Sequence, residues 1–94
     1  MRKISRNRLG RDIKEAIRDF RYQLSVNSNR VTVYNNGTAP YLPNAHGNTY
    51  YEYDVGSGRY NRGRARIVAL ISGGGKLESL YFTNTHYRSW MEIV

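Results

Sequence analysis

From residue 49 to the C-terminus the chain alternates apolar and polar positions in short runs, cut by clusters of glycine and asparagine. The runs are Thr-Tyr-Tyr-Glu-Tyr-Asp-Val at 49–55, Arg-Ala-Arg-Ile-Val-Ala-Leu-Ile-Ser at 64–72 and Leu-Glu-Ser-Leu-Tyr-Phe-Thr at 77–83. A period of two with β-branched and aromatic residues predicts strands, and the breaks between them predict hairpins. Gly56-Ser57-Gly58 with Asn61-Arg62-Gly63 makes one connection, and Gly73-Gly74-Gly75 makes the next. A bend at Asn84-Thr85-His86 leads into a closing strand at 87–94. Nearly half of the chain is thus committed to one antiparallel sheet.

The first half supplies what covers it. Ile13, Ala16, Ile17, Phe20 and Leu24 recur at intervals of three and four, which predicts a helix over 11–24 with a single apolar stripe. Asp12 and Glu15 lie in its first turn and complement the helix dipole. Arg11, Lys14, Arg18 and Arg21 fall on its solvated faces, and Asn27-Ser28-Asn29 ends it. Residues 1–8 read as a basic, frayed lead-in. A short strand is expected over 30–34. Asn-Gly at 36–37 and the prolines at 40 and 43 then keep 35–48 irregular, a long loop of the kind that carries binding functions. The expectation is one α+β domain spanning 1–94, an N-terminal helix packed on one face of a twisted antiparallel sheet.

Charge restricts the partner. Fifteen Lys and Arg against seven Asp and Glu leave a formal +8, and twelve aromatics, nine of them tyrosine, are added to it. Positive charge draws polyanions and aromatic faces can stack on unpaired bases, so nucleic acid is the expected partner. The longest apolar run, 67–71, is too short to span a bilayer, so no membrane partner is expected. The basic start lacks an apolar segment behind it and is not read as a signal peptide. With no cysteine, the chain suits a reducing compartment.

Alternation also sorts the faces. Tyr51, Tyr53 and Val55 belong with the helix, as do Ala65, Ile67, Ala69 and Ile71 on the next strand. Glu52 and Arg66 then share the opposite, open face, where antiparallel pairing brings them one strand apart. Such a pair is usually a surface ion pair of about 0–1 kcal/mol. His86, in the bend, adds an imidazole. Two histidines without cysteine or an acidic cluster make no standard metal set, so neither metal nor cofactor is expected. His46 reads as a solvated loop residue, and the glycines at 73–75 as a turn rather than a phosphate loop.

Tyr-Glu-Tyr-Asp at 51–54, Arg62 with Arg66-Ile67, and Thr-His-Tyr at 85–87 together resemble the microbial ribonucleases related to barnase and the guanyl-specific ribonucleases. The resemblance runs from Thr49 to the C-terminus, in order and nearly in spacing. It implies a barnase-like fold and a metal-independent endoribonuclease that converts single-stranded RNA to 2′,3′-cyclic phosphate ends. It assigns Glu52 as general base, His86 as general acid, Arg62 and Arg66 to the phosphate with Tyr87 beside them, and Tyr34, Asn35 and Asn36 to the base. By analogy, the chain is a monomeric toxin domain of a bacterial effector. It would be secreted or delivered into a target cell, act in the cytoplasm and be held by an acidic inhibitor. Three departures stand out. The loop at 34–37 has no carboxylate for guanine, the interval from Arg66 to His86 is longer, and the N-terminal half is shorter with one clear helix. The competing readings are a non-catalytic basic RNA-binding module and a domain that docks an acidic protein.

Overall fold

The computed structural model describes residues 1–55 and 65–94. Helix α1, Arg11–Ser25, takes the predicted stripe inward: Ile13, Ile17 and Phe20 are buried, with Ala16 and Leu24 at the margin. Gly10 caps its start without a side-chain bond. Its end comes at Asn27, whose φ of 53° takes the chain out of the helix, as a short polar side chain permits.

Six strands form one sheet in the order β1-β6-β5-β4-β3-β2. They are β1 Arg2–Ile4, β2 Thr32–Val33, β3 Thr49–Asp54, β4 Arg66–Ile71, β5 Leu77–Thr83 and β6 Met91–Ile93. The four pairings from β6 to β2 are antiparallel, as alternation predicted. The fifth is parallel and makes the sheet mixed: Arg2, Lys3 and Ile4 lie beside Met91, Glu92 and Ile93. The N-terminal segment is therefore not a frayed lead-in. Hydrogen bonds from the Val94 amide to the Ile4 carbonyl (2.9 Å) and from the Arg6 amide to the Val94 carbonyl (3.0 Å) tie it to the C-terminus. A one-turn 3-10 helix, Arg6–Arg8, follows, and Leu9 drops into the core.

Two other bounds differ from the sequence reading. The strand expected at 30–34 pairs only at Thr32–Val33, and the closing strand begins at Met91 rather than at 87. The glycine turn is as expected and compact. The Ser72 amide bonds the Lys76 carbonyl (2.9 Å), and Gly75 takes a φ of 87° that favours glycine.

The main core lies between α1 and one sheet face, with Tyr53, Val55, Ala65, Ile67, Ala69, Leu80, Phe82 and Ile93 around the helix stripe. Phe20 and Tyr53 stack in parallel at 5.2 Å. The Tyr53 hydroxyl donates to Asp19 on the helix, and Arg30 stands 3.9 Å from the same carboxylate. That bond from Tyr53 holds the Asp19 carboxyl below its ordinary range. Burial, and then the bond to Asp19, push the Tyr53 phenol up to about 12. Tyr53→Phe should cost about 1 kcal/mol in denaturant unfolding at neutral pH. The phenol makes this bond as its neutral form, so the contribution is whole below pH 10.0 and fades as pH climbs toward about 12. The stability gap between wild type and Tyr53→Phe should shrink over that interval; a gap independent of pH would refute the assignment.

The face away from α1 is not bare. Leu42, Tyr50, Val68, Tyr81 and Trp90 form a second buried cluster, with Tyr34, Ala45, Leu70 and Tyr87 packed against it. The long loop and the bend after β5 thus roof the face that carries Glu52.

Candidate active site

Strand register decides which charges meet. Asp54 lies directly opposite Arg66, while Glu52 lies opposite Val68, one diagonal step away. The ion pair of Arg66 is accordingly with Asp54, Nε to Oδ1 at 2.9 Å, and its Nη1 donates to the Ala65 carbonyl at 3.0 Å. Its side chain is only 13% exposed, so the guanidinium is held in a fixed direction on this face. The sequence placed Asp54 on the right face without giving it this part.

Glu52 is half-buried, and its carboxylate accepts a hydrogen bond from the Tyr87 hydroxyl. Burial, then Glu52 itself, push the Tyr87 phenol far above its ordinary range, so it stays a neutral donor. The charge of Glu52 also adds to burial in raising Tyr34. Tyr87 is the hub of the site. The Arg66 guanidinium lies 5.9 Å from its ring centroid, and the exposed His86 imidazole lies 4.8 Å from it, tilted by 44°. Tyr34 stacks on it at 5.1 Å, and Trp90 meets both rings at 5.7 and 5.8 Å. Carboxylate, guanidinium and imidazole are therefore gathered around one aromatic ring.

The bend reaches that arrangement at a backbone cost. His86 and Tyr87 are consecutive non-glycine residues in the left-handed region, at φ 54° and 71°. Each such residue costs roughly 1–2 kcal/mol unless its surroundings hold it. Thr83 holds these two. Its Oγ1 is buried with the rest of the side chain and accepts from the amides of Thr85 and Tyr87, both at 3.2 Å. With both lone pairs engaged, its proton is left for the Thr85 hydroxyl 3.2 Å away, which itself lies 2.7 Å from Ser89 Oγ. Thr83→Val keeps the shape and deletes the acceptor. We expect about a tenfold loss of kcat on RNA with KM little changed, and recovery in Thr83→Ser. Parity of Thr83→Val with wild type would remove Thr83 from the site.

The loop after β2 is ordered largely by its own asparagines. Asn36, at φ 54°, bonds both polar groups of Leu42: its Nδ2 donates to the carbonyl at 3.0 Å and its Oδ1 accepts from the amide at 2.9 Å. Asn35 Oδ1 accepts from the Gly37 amide at 3.1 Å. The Trp90 indole fastens the loop tip through the Pro40 carbonyl at 3.1 Å, beyond a cis Ala39–Pro40 bond. Tyr34 lies half-buried against Tyr87, and Asn35 is exposed. Arg62 lies outside the described residues. His46 is exposed in the loop, and among the described residues no group of three His, Cys, Asp or Glu is placed to hold a metal ion.

A carboxylate, an imidazole and a guanidinium beside stacked tyrosines on a helix-backed sheet are groups suited to acid–base chemistry on a phosphodiester. The sequence model of the ribonuclease family matches residues 2–94, so the chain belongs to the ribonuclease family. It is an endoribonuclease, with RNA as its substrate. The fold is similar to that of ribonuclease Sa2, solved with guanosine-2′-cyclophosphate: the TM-score is 0.59 and 21% of residues are identical, over 100% of this chain and 96% of that one. Among curated proteins none matches the sequence. The family and the barnase-like fold are thus as the strand motifs implied.

Proposed function

We propose that the chain cleaves single-stranded RNA by metal-independent transesterification. Glu52 takes the proton from the ribose 2′-hydroxyl, which attacks the adjacent phosphorus. His86, protonated, gives a proton to the departing 5′-oxygen, and a 2′,3′-cyclic phosphate is left. Arg66, joined by Arg62, opposes the charge that grows on the non-bridging oxygens. One observation carries this reading: a single ring, Tyr87, touches the carboxylate of Glu52 and stands within 6 Å of the guanidinium of Arg66 and the imidazole of His86. The test is incubation of the purified protein with RNA and with DNA in chelator, reading the fragment ends. Cyclic or 3′-phosphate ends on RNA alone are expected; a divalent-ion requirement or DNA cleavage would sink it.

The base subsite follows from the loop. Tyr34 has one ring face against Tyr87, so its other face is the one offered to a base. The side chains of Asn35 and Asn36 already bond the loop, so their part is to present its backbone amides. Without a carboxylate at 34–37, discrimination for guanine should be relaxed, since one polar readout is worth about 1–3 kcal/mol. Strict cleavage after guanine in homopolymer digests would show that another residue replaces it. As to role, we propose a monomeric toxin domain, delivered to the cytoplasm of another cell and checked by an acidic inhibitor on the Arg66 and His86 face. The excess of positive charge and the absence of cysteine support this. Expression of the chain alone in a bacterial cytoplasm should arrest growth; healthy growth with RNA-cleaving protein present would end the toxin reading.

A further inference from the structure

We propose that the N-terminal edge of the sheet is a second, sequence-independent contact for the RNA chain, remote from the cleavage site. This rests on the endoribonuclease reading and extends it to substrate length. Arg2, Lys3, Arg6, Arg8, Arg11 and Lys14 are all exposed, and Asp12 is the one carboxylate among residues 1–14. They are not carried on a loose tail. Strand β1 pairs with β6, the 3-10 turn is capped by Ser5 and bonded to Val94, and the start of α1 continues the run. Among the described residues none of the six is in a salt bridge.

The chemistry of the edge differs from that of the site. Residues 1–14 contain no aromatic side chain, so nothing there stacks a base. What remains is a fixed display of guanidinium and ammonium groups, which contacts phosphates without reading sequence. Its place in the sheet gives the reach required. From β1 to β4 and β3, which carry Arg66 and Glu52, there are three and four strand steps. At about 4.8 Å per step that is roughly 14–19 Å. At about 3.4 Å per stacked nucleotide, roughly six nucleotides cover the larger distance. A dinucleotide held at Glu52 and Arg66, about 7 Å long at the same rise, is shorter than that distance, and a longer strand covers it. Two linked binding sites raise the affinity of the longer strand without any new interaction at the cleavage site.

The experiment compares wild type with a quadruple variant, Arg2→Gln, Lys3→Gln, Arg6→Gln and Arg8→Gln. Binding is read by fluorescence anisotropy on a single-stranded oligodeoxynucleotide of about 16 nucleotides, which has no 2′-hydroxyl to be cut. Cleavage is read in parallel on a long RNA and on a dinucleotide. The expected result is at least a tenfold weaker oligodeoxynucleotide complex. Its salt dependence should also be shallower, by about 0.7 for each phosphate no longer neutralised. Long-RNA kcat/KM should fall in step, with dinucleotide cleavage unchanged. Equal binding and an equal salt slope in the two proteins would overturn the proposal, as would an equal loss on dinucleotide and long RNA. Because anisotropy needs no turnover, a failure of the cleavage mechanism is seen separately, in wild type.

Discussion

Glu52→Gln is expected to lower kcat on RNA by about 10²–10⁴-fold, the usual scale for a general base, with the thermal midpoint almost unmoved. Glutamine is the informative replacement because of Tyr87. The phenol donates to Glu52 Oε1, and the glutamine carbonyl can accept the same bond, so the stack of Tyr87 on Tyr34 stays in place. Glu52→Ala instead leaves a half-buried hydroxyl without its acceptor, at about 1–3 kcal/mol, and would mix lost chemistry with lost packing. Tyr87→Phe separates the two further: it keeps the ring and the base and removes the bond between them, so its loss should be smaller than that of Glu52→Gln. Turnover of Glu52→Gln within tenfold of wild type, on a protein that unfolds normally, would show that another group takes the proton.

Sequence periodicity found the parts of the molecule whose partners are close in the chain. The stripe of Ile13, Ile17 and Phe20 is a helical period, and Tyr51 and Tyr53 mark the helix face of β3 by simple alternation. Strand β1 gives no such signal. Arg2-Lys3-Ile4 is three residues long and mostly exposed, and its partner β6 lies at the other end of the chain. The second cluster was hidden for a related reason: Leu42 and Trp90 are single apolar residues in irregular segments, with no repeat to assign them a face. At the candidate site, family motifs singled out Glu52, Arg66 and His86, but their geometry was not legible. A register of two residues decides whether Arg66 faces Glu52 or Asp54, and alternation allows both. The role of Thr83 was equally silent, since a buried threonine at a strand end looks like any other until two amides are seen to converge on it.

His86→Asn should lower kcat on RNA by about 10²–10⁴-fold, and the choice of asparagine again follows from geometry. His86 sits at φ 54°, where asparagine is tolerated far better than alanine, so the bend and the Tyr87 that follows it keep their course. What disappears is the imidazole and, on the proposed mechanism, the proton for the departing 5′-oxygen. That role has a signature a structural residue lacks. A leaving group that departs well as an anion, such as a nitrophenolate ester of a nucleoside 3′-phosphate, has little need of an acid. On that substrate the defect of His86→Asn should shrink by an order of magnitude or more, the general-acid contribution being the part removed. The defect of Glu52→Gln should remain, because the 2′-hydroxyl must still lose its proton. If both variants lose the same factor on both substrates, His86 serves the bend rather than the leaving group, and the exposed imidazole beside Tyr87 is a positioning residue. If His86→Asn alone is restored, the two sides of the reaction are divided between β3 and the bend after β5, with Tyr87 as the fixed wall between them.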